Sequence, residues 1–182
     1  MERNEPVISI RHLKKYFMAN HHVLKPSDYV KAVDDVSLDI MQGETVGLVG
    51  ESGCGKSTFA RTVIRIYEPS EGQIFFKGKD ISHLSNAKMR AYRNKMQMIF
   101  QDPYASLNPR YTVGEIIAEP MQIYHMCGKE EQKEKVQERL ELVGLKPDHI
   151  SRYPHEFSGG QRQRIGIART LALDPEFIIC DE

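Results

Sequence analysis

Apolar and polar side chains follow two patterns along the chain, one with the period of strands and one with the period of helices. Alternation with a period of two, or a short run that is apolar throughout, predicts a strand. The run Thr-Val-Gly-Leu-Val at residues 45–49 is of the second kind, which is typical of a strand buried on both faces. The strands predicted in this way are residues 7–10, 36–40, 45–49, 73–77, 96–100 and 177–180.

Helical periodicity is clearest in three segments. Residues 59–66 carry apolar side chains at i, i+4 and i+7, directly after a Gly-rich turn. Residues 130–143 place apolar side chains on one face, and Gly144 is the predicted C-terminal cap. A third helix is predicted to run from about residue 159 to residue 173, where an Asp-Pro step ends it.

Together these elements predict an α/β fold with an inserted helical part. Residues 102–157 contain short amphipathic segments and several prolines but no convincing strand, so we expect a mostly helical subdomain there. Residues 1–101 and 158–182 then supply the two parts of an incomplete α/β core. Residues 18–32 are polar and irregular and are predicted to form a loop.

Composition and charge describe a globular chain with no overall charge. Among 182 residues, 25 Lys and Arg balance 25 Asp and Glu, which leaves no global basic field for nucleic acid. No apolar run approaches the roughly 20 residues that span a bilayer, and residues 1–6 have no signal-peptide core. We therefore expect the chain in the cytosol, unless a partner holds it at a membrane. Cys54, Cys127 and Cys180 predict neither a disulfide framework nor a zinc site.

A Gly-rich sequence follows the strand predicted at residues 45–49 and precedes the first helix. It matches the phosphate-loop pattern G-x-x-x-x-G-K-[ST] in the structural context that the pattern requires. Glycines let backbone N–H groups curl around phosphate oxygens, Lys56 supplies a mobile positive charge, and the Ser57 hydroxyl suits magnesium. The sequence therefore predicts a site for a nucleoside triphosphate. Its residues are Gly50, Glu51, Ser52, Gly53, Cys54, Gly55, Lys56, Ser57 and Thr58.

A second anion-binding helix start is predicted at Ser158. Ser158 is a good N-cap, and Gln161 completes a capping box, which is a purely structural explanation. That explanation leaves Gly159 and Gly160 unexplained, because successive glycines reduce helix stability. Exposed N–H groups, a helix dipole and a hydroxyl together form an anion site. Two such sites on one chain suggest head-to-tail pairing, in which each site faces the other copy's nucleotide.

Two acidic residues end the chain. Asp181 follows the apolar strand at residues 177–180, and a carboxylate at the tip of a buried strand is where a phosphate-loop protein carries a magnesium ligand. Glu182, next to it, is suited to polarise the attacking water. An apolar run followed by Asp-Glu is common, so this assignment depends on the phosphate loop upstream.

In this order the motifs resemble those of ABC ATPases over essentially the whole chain. The sequence Phe-Ser-Gly-Gly-Gln-Arg-Gln-Arg at residues 157–164 is similar to the family's signature motif, with Phe157 where leucine is usual. Residues 100–103, Phe-Gln-Asp-Pro, are similar to its Q-loop. This resemblance implies that Gln101 reaches the magnesium ion and the nucleophilic water.

The resemblance also implies the fold, the nucleotide and the metal. Tyr16 matches the aromatic residue that stacks on adenine, with Phe17 and Tyr29 as alternatives. The implied fold is a P-loop NTPase core sheet with an antiparallel N-terminal β-subdomain and an inserted helical subdomain. The implied cofactors are ATP and Mg²⁺. The implied roles are catalytic for Lys56, Gln101 and Glu182, and metal-binding for Ser57, Gln101 and Asp181.

Two longer stretches of sequence resemble one branch of the ABC ATPase family. Residues 51–58 and 100–110 are similar to the oligopeptide and dipeptide importer branch, and an insertion at residues 18–32 also suits it. In that branch two ATP-binding subunits bind two membrane permeases at the cytoplasmic face of the membrane, and an extracytoplasmic binding protein delivers the substrate. The branch implies that residues 101–125 hold the permease and that residues 158–161 clamp the γ-phosphate of a second ATP-binding subunit.

The family pattern continues past the end of this chain. A D-loop and a strand with a switch histidine follow the acidic pair in ABC ATPases, whereas this sequence stops at Glu182, and His155 lies before the signature. Without those segments, apolar strands become open edges, which favour aggregation. We therefore expect the 182-residue chain alone to be poorly stable and to hydrolyse ATP slowly.

Two other classes of protein stay open at this point. A soluble ABC ATPase that acts on ribosomes or DNA often carries tandem cassettes or long coiled coils, and neither is visible in the sequence. A phosphate-loop kinase or GTPase has no reason for the sequence at residues 158–161. Import of peptides rests on the resemblance alone, because no residue of the chain is expected to touch a peptide.

Overall fold

The computed structural model describes residues 5–19, 28–100 and 107–181, which belong to two compact units. The units are Met1–Ala91 and Tyr92–Glu182. The elements in chain order are β1 (Ile8–Met18), β2 (Tyr29–Ile40), α1 (Lys56–Val63), β3 (Glu71–Phe76), β4 (Lys79–Asp80), α2 (Asn86–Arg93), β5 (Met96–Ile99), α3 (Val113–Ile123), α4 (Lys129–Leu142), two 3₁₀ turns (Pro147–Ser151 and Pro154–Glu156), α5 (Gly159–Leu171) and β6 (Phe177–Cys180).

The first unit contains a four-stranded antiparallel sheet in the order β2-β1-β3-β4. Ile8 on β1 pairs with Ile40 on β2 and with Phe76 on β3, so β1 is hydrogen-bonded on both sides. Ile8 and Ile10 are fully buried, and Ser9 between them is buried as well. Three predicted strands are confirmed here, with residues 8–10 in β1, 36–40 in β2 and 73–76 in β3.

The predicted loop at residues 18–32 is wrong at both ends, because Met18 is the last residue of β1 and residues from Tyr29 onward belong to β2. Strand β2 begins there, and Lys31 on β2 pairs with Tyr16 on β1. Backbone pairing with β1 forms this part of the strand, although its first side chains are exposed and no apolar period marks it. Residues 20–27 lie outside the described residues.

The strand predicted at residues 45–49 is also wrong. These residues form no strand, and Val46, Leu48 and Val49 are exposed, Val49 by 94%. An extended segment becomes a strand only when its N–H and C=O groups pair with a neighbour. Neither sheet formed by the described residues includes this segment. An apolar run is therefore not sufficient to form a strand.

Helix α1 follows the Gly-rich turn, as predicted, but it is shorter than the apolar period indicates. It ends at Val63, and Arg65 adopts a left-handed conformation with φ 61°. The N–H of Ile66 bonds to the Arg61 carbonyl at 2.9 Å, and the N–H of Arg65 bonds to the Thr62 carbonyl at 3.0 Å. This is the Schellman pattern of a helix C-terminus. Ile66 therefore lies beyond the helix and is half exposed.

The second unit is built around a helical core. Helices α3, α4 and α5 all contribute side chains to one buried apolar cluster, and no strand occurs in residues 107–157. Helix α4 confirms the prediction over residues 130–143, and Gly144 ends it with φ 73°. The N–H of Leu145 then bonds to the Leu140 carbonyl at 2.8 Å, and both side chains are buried, as in a Schellman cap.

Strands β5 and β6 form a parallel pair in the second unit. Met96 pairs with Phe177, and Ile99 pairs with Cys180, which confirms both predicted strands. The helical part of the unit connects them, as a parallel pair requires a long crossover. Because the strands are parallel, their carboxyl ends lie at the same edge.

Several further properties bear on function. Within the described ranges, no helix combines the length and the hydrophobicity that crossing a membrane requires. Cys54, Cys127 and Cys180 carry free thiols. The described His, Cys, Asp and Glu side chains form no group of three or more that could hold a metal ion.

Candidate functional site

The phosphate-loop sequence turns sharply into α1 at Gly55. This residue precedes the helix and has φ 102°. A Cβ atom on it would lie 2.1 Å from the carbonyl oxygen of Ala32 on β2. Backbone conformation and available space therefore both require glycine. The same close approach joins the loop to the sheet of the first unit.

Lys56 curls back over this loop. Its Nζ donates to the carbonyl oxygens of Gly50 at 2.8 Å and Glu51 at 2.7 Å, and lies 3.9 Å from the Sγ of Cys54. The loop is largely exposed, so the ammonium is within reach of a solute. Carbonyl groups are neutral partners, and a phosphate, which makes charge-assisted hydrogen bonds, competes with them favourably.

The start of α1 adds backbone donors beside the Lys56 ammonium. The N–H of Phe59 bonds to the Gly55 carbonyl at 2.8 Å. The N–H groups of residues 55–58 precede this first helical bond and point out of the helix end. No acidic residue lies in the first turn, and the helix dipole adds partial positive charge. Donors, dipole and ammonium together fit a phosphate group, and Ser57 lies in the same turn.

Tyr16 belongs to a group of three interacting side chains on the N-terminal sheet. Its hydroxyl donates to Asp34 Oδ1, and Lys31 Nζ donates to Asp34 Oδ2 at 3.2 Å. The same ammonium lies 5.3 Å from the centroid of the Tyr16 ring, within cation–π range. The hydrogen bond to Asp34 raises the pKa of the Tyr16 hydroxyl, and it lowers the pKa of the Asp34 carboxyl.

The two alternative aromatic residues are arranged differently. Phe17 packs edge-on against Tyr67, with ring centroids 5.6 Å apart, and Tyr29 is exposed at the start of β2. Tyr16, in contrast, opposes Lys31, the residue before Ala32. Its partner on β2 is therefore adjacent to the point where the phosphate loop contacts that strand. Of the two candidates on β1, Tyr16 and Phe17, Tyr16 therefore has the β2 partner nearer in sequence to that contact.

Ser158 begins α5 as its capping box predicts. The Ser158 hydroxyl accepts a hydrogen bond from the N–H of Gln161 at 3.4 Å, and Gln161 Oε1 accepts one from the N–H of Ser158 at 3.0 Å. A Cβ atom on Gly159 or Gly160 would meet nothing within 4 Å. The packing of the described residues thus gives no reason for two glycines, whereas the open space suits a partner that approaches the helix end closely.

Phe157, the residue that departs from the family pattern, is an anchor in the helical core. It is buried, and its ring lies edge-on to His149 with centroids 5.1 Å apart. Its carbonyl accepts a hydrogen bond from Arg162 Nε at 2.9 Å. A buried apolar side chain just before Ser158 fixes the start of α5, so phenylalanine serves where leucine is usual.

Asp181 continues directly from β6. Its N–H donates to the Ile99 carbonyl at 3.0 Å, and the residue is partly buried. It therefore stands at the carboxyl edge of the parallel pair, where a metal or phosphate ligand is expected in an α/β sheet. Gln101 and Glu182 lie outside the described residues, and their roles stay predictions.

The structure places the described candidate residues in two groups, one in each unit. The phosphate loop and Tyr16 share the first unit, where β2 connects them, and Ser158 and Asp181 belong to the second. Sequence reasoning missed Lys31 and Asp34. These residues become apparent only from the pairing of β1 with β2. The exposed, polar sequence around them does not predict that pairing.

Comparison with known proteins identifies the family to which the chain belongs. Residues 33–182 match the sequence family described as ABC transporter. The oligopeptide transport ATP-binding protein OppF of Bacillus subtilis (strain 168) is 57% identical over 180 residues, covering 98% of this chain and 57% of that protein. AppF of the same organism, also an oligopeptide transport ATP-binding protein, is 58% identical over 98% of this chain and 55% of its own length. The chain thus spans about half the length of the curated relatives it matches.

Solved cassettes share the fold. A dimeric structure of the ATP-binding cassette MJ0796 in a post-hydrolysis state, bound to ADP and Pi, matches with a TM-score of 0.84 and 27% identity, covering 95% of this chain and 72% of that one. A second dimeric structure of MJ0796 matches with a TM-score of 0.82 and 29% identity. The predicted fold class is therefore confirmed.

Proposed function

The chain belongs to the ABC transporter family, and from this membership we propose that it binds and hydrolyses ATP as the motor part of a peptide importer. The similar proteins OppF and AppF are oligopeptide transport ATP-binding proteins, which supports oligopeptides or dipeptides as the cargo. The observation that carries the proposal is the phosphate loop, a Gly-rich turn into α1 with the Lys56 ammonium bonded across it.

ATP lies with its phosphates on residues 50–58 in this proposal. Lys56 exchanges its two carbonyl partners for phosphate oxygens, and the N–H groups at the start of α1 donate to the same phosphates. The adenine ring stacks on Tyr16, whose partner Lys31 is adjacent to the loop's contact at Ala32. The phosphates thus supply charge-based affinity, and the aromatic ring supplies contact with the base.

Magnesium accompanies the nucleotide. Ser57, Gln101 and Asp181 offer hydroxyl, amide and carboxylate oxygens, which are the hard ligands that Mg²⁺ prefers. When bound, the metal offsets charge on the β- and γ-phosphates. Gln101 senses the γ-phosphate and orients the attacking water, and Glu182 accepts a proton from that water. Lys56 stabilises the charge that develops on the phosphate oxygens.

A second ATP-binding subunit completes the site. Ser158 and Gln161, with the uncrowded Gly159 and Gly160 between them, clamp the γ-phosphate of the partner's nucleotide. The partner is a second copy of this chain or a sister ATP-binding subunit. The dimeric structures of the related cassette support such pairing.

The permease holds this motor at the cytoplasmic face of the membrane. Residues 101–125 form the contact, and an extracytoplasmic binding protein delivers the peptide to the permease from the other side. In support, α3 and α4 of the second unit form a cleft of about 260 Å³. The cleft is lined by Thr112, the N-cap of α3, and by the α3 residues Gly114, Glu115, Ala118 and Gln122. No nucleic acid takes part.

Removal of the Lys56 ammonium tests the nucleotide site. Lys56→Ala keeps the loop glycines but removes the charge-assisted hydrogen bonds to phosphate, and we expect ATP affinity to fall by roughly 10- to 100-fold. Isothermal titration calorimetry measures this fall. Lys79→Ala, which removes an exposed lysine on β4 of the same unit, is the matched control and should bind ATP like the unchanged chain. Equal affinities for the two variants would contradict the proposed site.

A further inference from the structure

A network of three side chains surrounds the proposed adenine platform. We propose that Asp34 is a positioning residue, which fixes the Tyr16 ring by its hydroxyl while Lys31 covers one face, so that the ring presents its other face to the base. The inference rests on the proposed function, in which Tyr16 stacks on adenine. It adds the residues that determine how the ring is held and which face is used.

The Asp34 carboxylate fixes the far end of the ring. A tyrosine ring turns about two side-chain bonds. A hydrogen bond at its hydroxyl restricts rotation about the Cα–Cβ bond, which moves the hydroxyl, but the hydroxyl oxygen lies on the axis of the Cβ–Cγ rotation. The Lys31 ammonium, which lies over the ring and is bonded to Asp34, opposes that second rotation. Asp34 Oδ1 accepts that hydrogen bond, while Oδ2 accepts one from Lys31 Nζ at 3.2 Å. The near end is fixed as well, because the Tyr16 N–H donates to Ser70 Oγ at 2.9 Å. Both ends of the Tyr16 residue are therefore tied before any ligand binds.

Lys31 occupies one face of the Tyr16 ring. Tyr16 and Lys31 are directly opposite each other on β1 and β2, and the Lys31 ammonium lies 5.3 Å from the ring centroid. A stacked base lies parallel to the ring in van der Waals contact and cannot share a face with the ammonium. The bond from Lys31 to Asp34 holds the ammonium in place. The base therefore takes the opposite face.

Stability alone does not account for this network. The side chains of Lys31 and Asp34 are 60% and 46% exposed, and exposed ion pairs contribute little to folding. The backbone pairing of β1 with β2 holds the sheet without them. A comparable exposed pair on the same two strands, Arg11 with Asp39 at 2.7 Å, involves no aromatic ring. That pair is a matched control.

The experiment compares ATP with tripolyphosphate, which has the phosphates but no base. We expect Asp34→Ala to weaken ATP binding by about three- to tenfold and to leave tripolyphosphate binding unchanged, because only the stacking contribution is reduced. Asp39→Ala should change neither affinity. Tyr16→Phe removes the hydroxyl that Asp34 holds and should reproduce the effect of Asp34→Ala. The double variant should be no worse than either single one.

Three results would overturn the positioning role. They are an equal loss for both ligands with Asp34→Ala, no loss for ATP, or additive losses when Asp34→Ala and Tyr16→Phe are combined. Tyr16→Ala separates this role from the proposed function. If that variant leaves the ratio of the ATP and tripolyphosphate affinities unchanged, Tyr16 is not the adenine platform at all. If it lowers ATP affinity alone while Asp34→Ala does not, only the positioning role fails.

Discussion

Two independent constraints require glycine at position 55. Its φ of 102° lies in the region that L side chains rarely adopt, and the Ala32 carbonyl occupies the place of a Cβ atom. The sequence motif predicts a glycine here because the loop must curl around phosphate. The contact with Ala32 is not predictable in this way, because it depends on how β2 is placed beside the loop.

Substitution of Gly55 should therefore be far more severe than substitution of a nearby glycine. Gly55→Ala should lower the free energy of unfolding by about 1–3 kcal/mol from backbone strain alone, and the displaced loop should lose ATP affinity. Gly47→Ala is the control, since a Cβ there would meet nothing within 4 Å and its φ is not positive. Urea denaturation and calorimetric titration measure both effects. Equal stability of the two variants would show that the loop does not depend on this approach.

At the scale of elements, the sequence predicted helix caps, which depend on neighbouring residues. It did not predict which strands pair with each other. The capping box at Ser158 and the glycine cap at Gly144 depend on residues within one or two helical turns, and the structure forms both. The strand at residues 45–49 fails because an apolar run does not specify a pairing partner. Tyr29 lies in a strand that the polar, irregular sequence at residues 18–32 does not predict. Pairing with β1 forms this strand.

The start of α3 carries a second capping box, which links this element to pH. The N–H and hydroxyl of Thr112 donate to Glu115 Oε2 at 2.7 and 3.0 Å. These hydrogen bonds lower the pKa of the Glu115 carboxyl in the folded chain. A carboxyl with a lowered pKa stabilises the fold above its unfolded pKa, and this contribution is lost as the pH falls through the folded pKa.

Glu115→Gln should therefore reduce the acid sensitivity of the chain. Glutamine keeps the shape of the capping box but does not titrate, so the fall in unfolding temperature from about pH 6 to about pH 3 should be smaller than in the unchanged chain. Glu138→Gln, at an exposed position on α4, is the matched control. Thermal denaturation followed by circular dichroism gives the comparison. An identical fall in the unchanged chain and in Glu115→Gln would exclude a role for this cap.

The whole molecule carries its two candidate anion sites on different units. One is the start of α1 in Met1–Ala91, and the other is the start of α5 in Tyr92–Glu182. The first site is formed by its own loop and by Lys56. The second has open space at Gly159 and Gly160, and packing among the residues that the structure describes does not explain it. A nucleotide shared between two copies explains both features.

ATP-dependent dimerisation tests this account most directly. Glu182→Gln should bind ATP without hydrolysing it, and sedimentation velocity should then detect a dimer that forms only with ATP. Adding Gly159→Arg should abolish the dimer while ATP affinity and unfolding temperature are kept, because a Cβ there meets nothing within 4 Å. Adding Gly128→Arg, at the equally open start of α4, should leave the dimer intact. A dimer that persists with Gly159→Arg, or the absence of any ATP-dependent dimer in Glu182→Gln, would contradict the account.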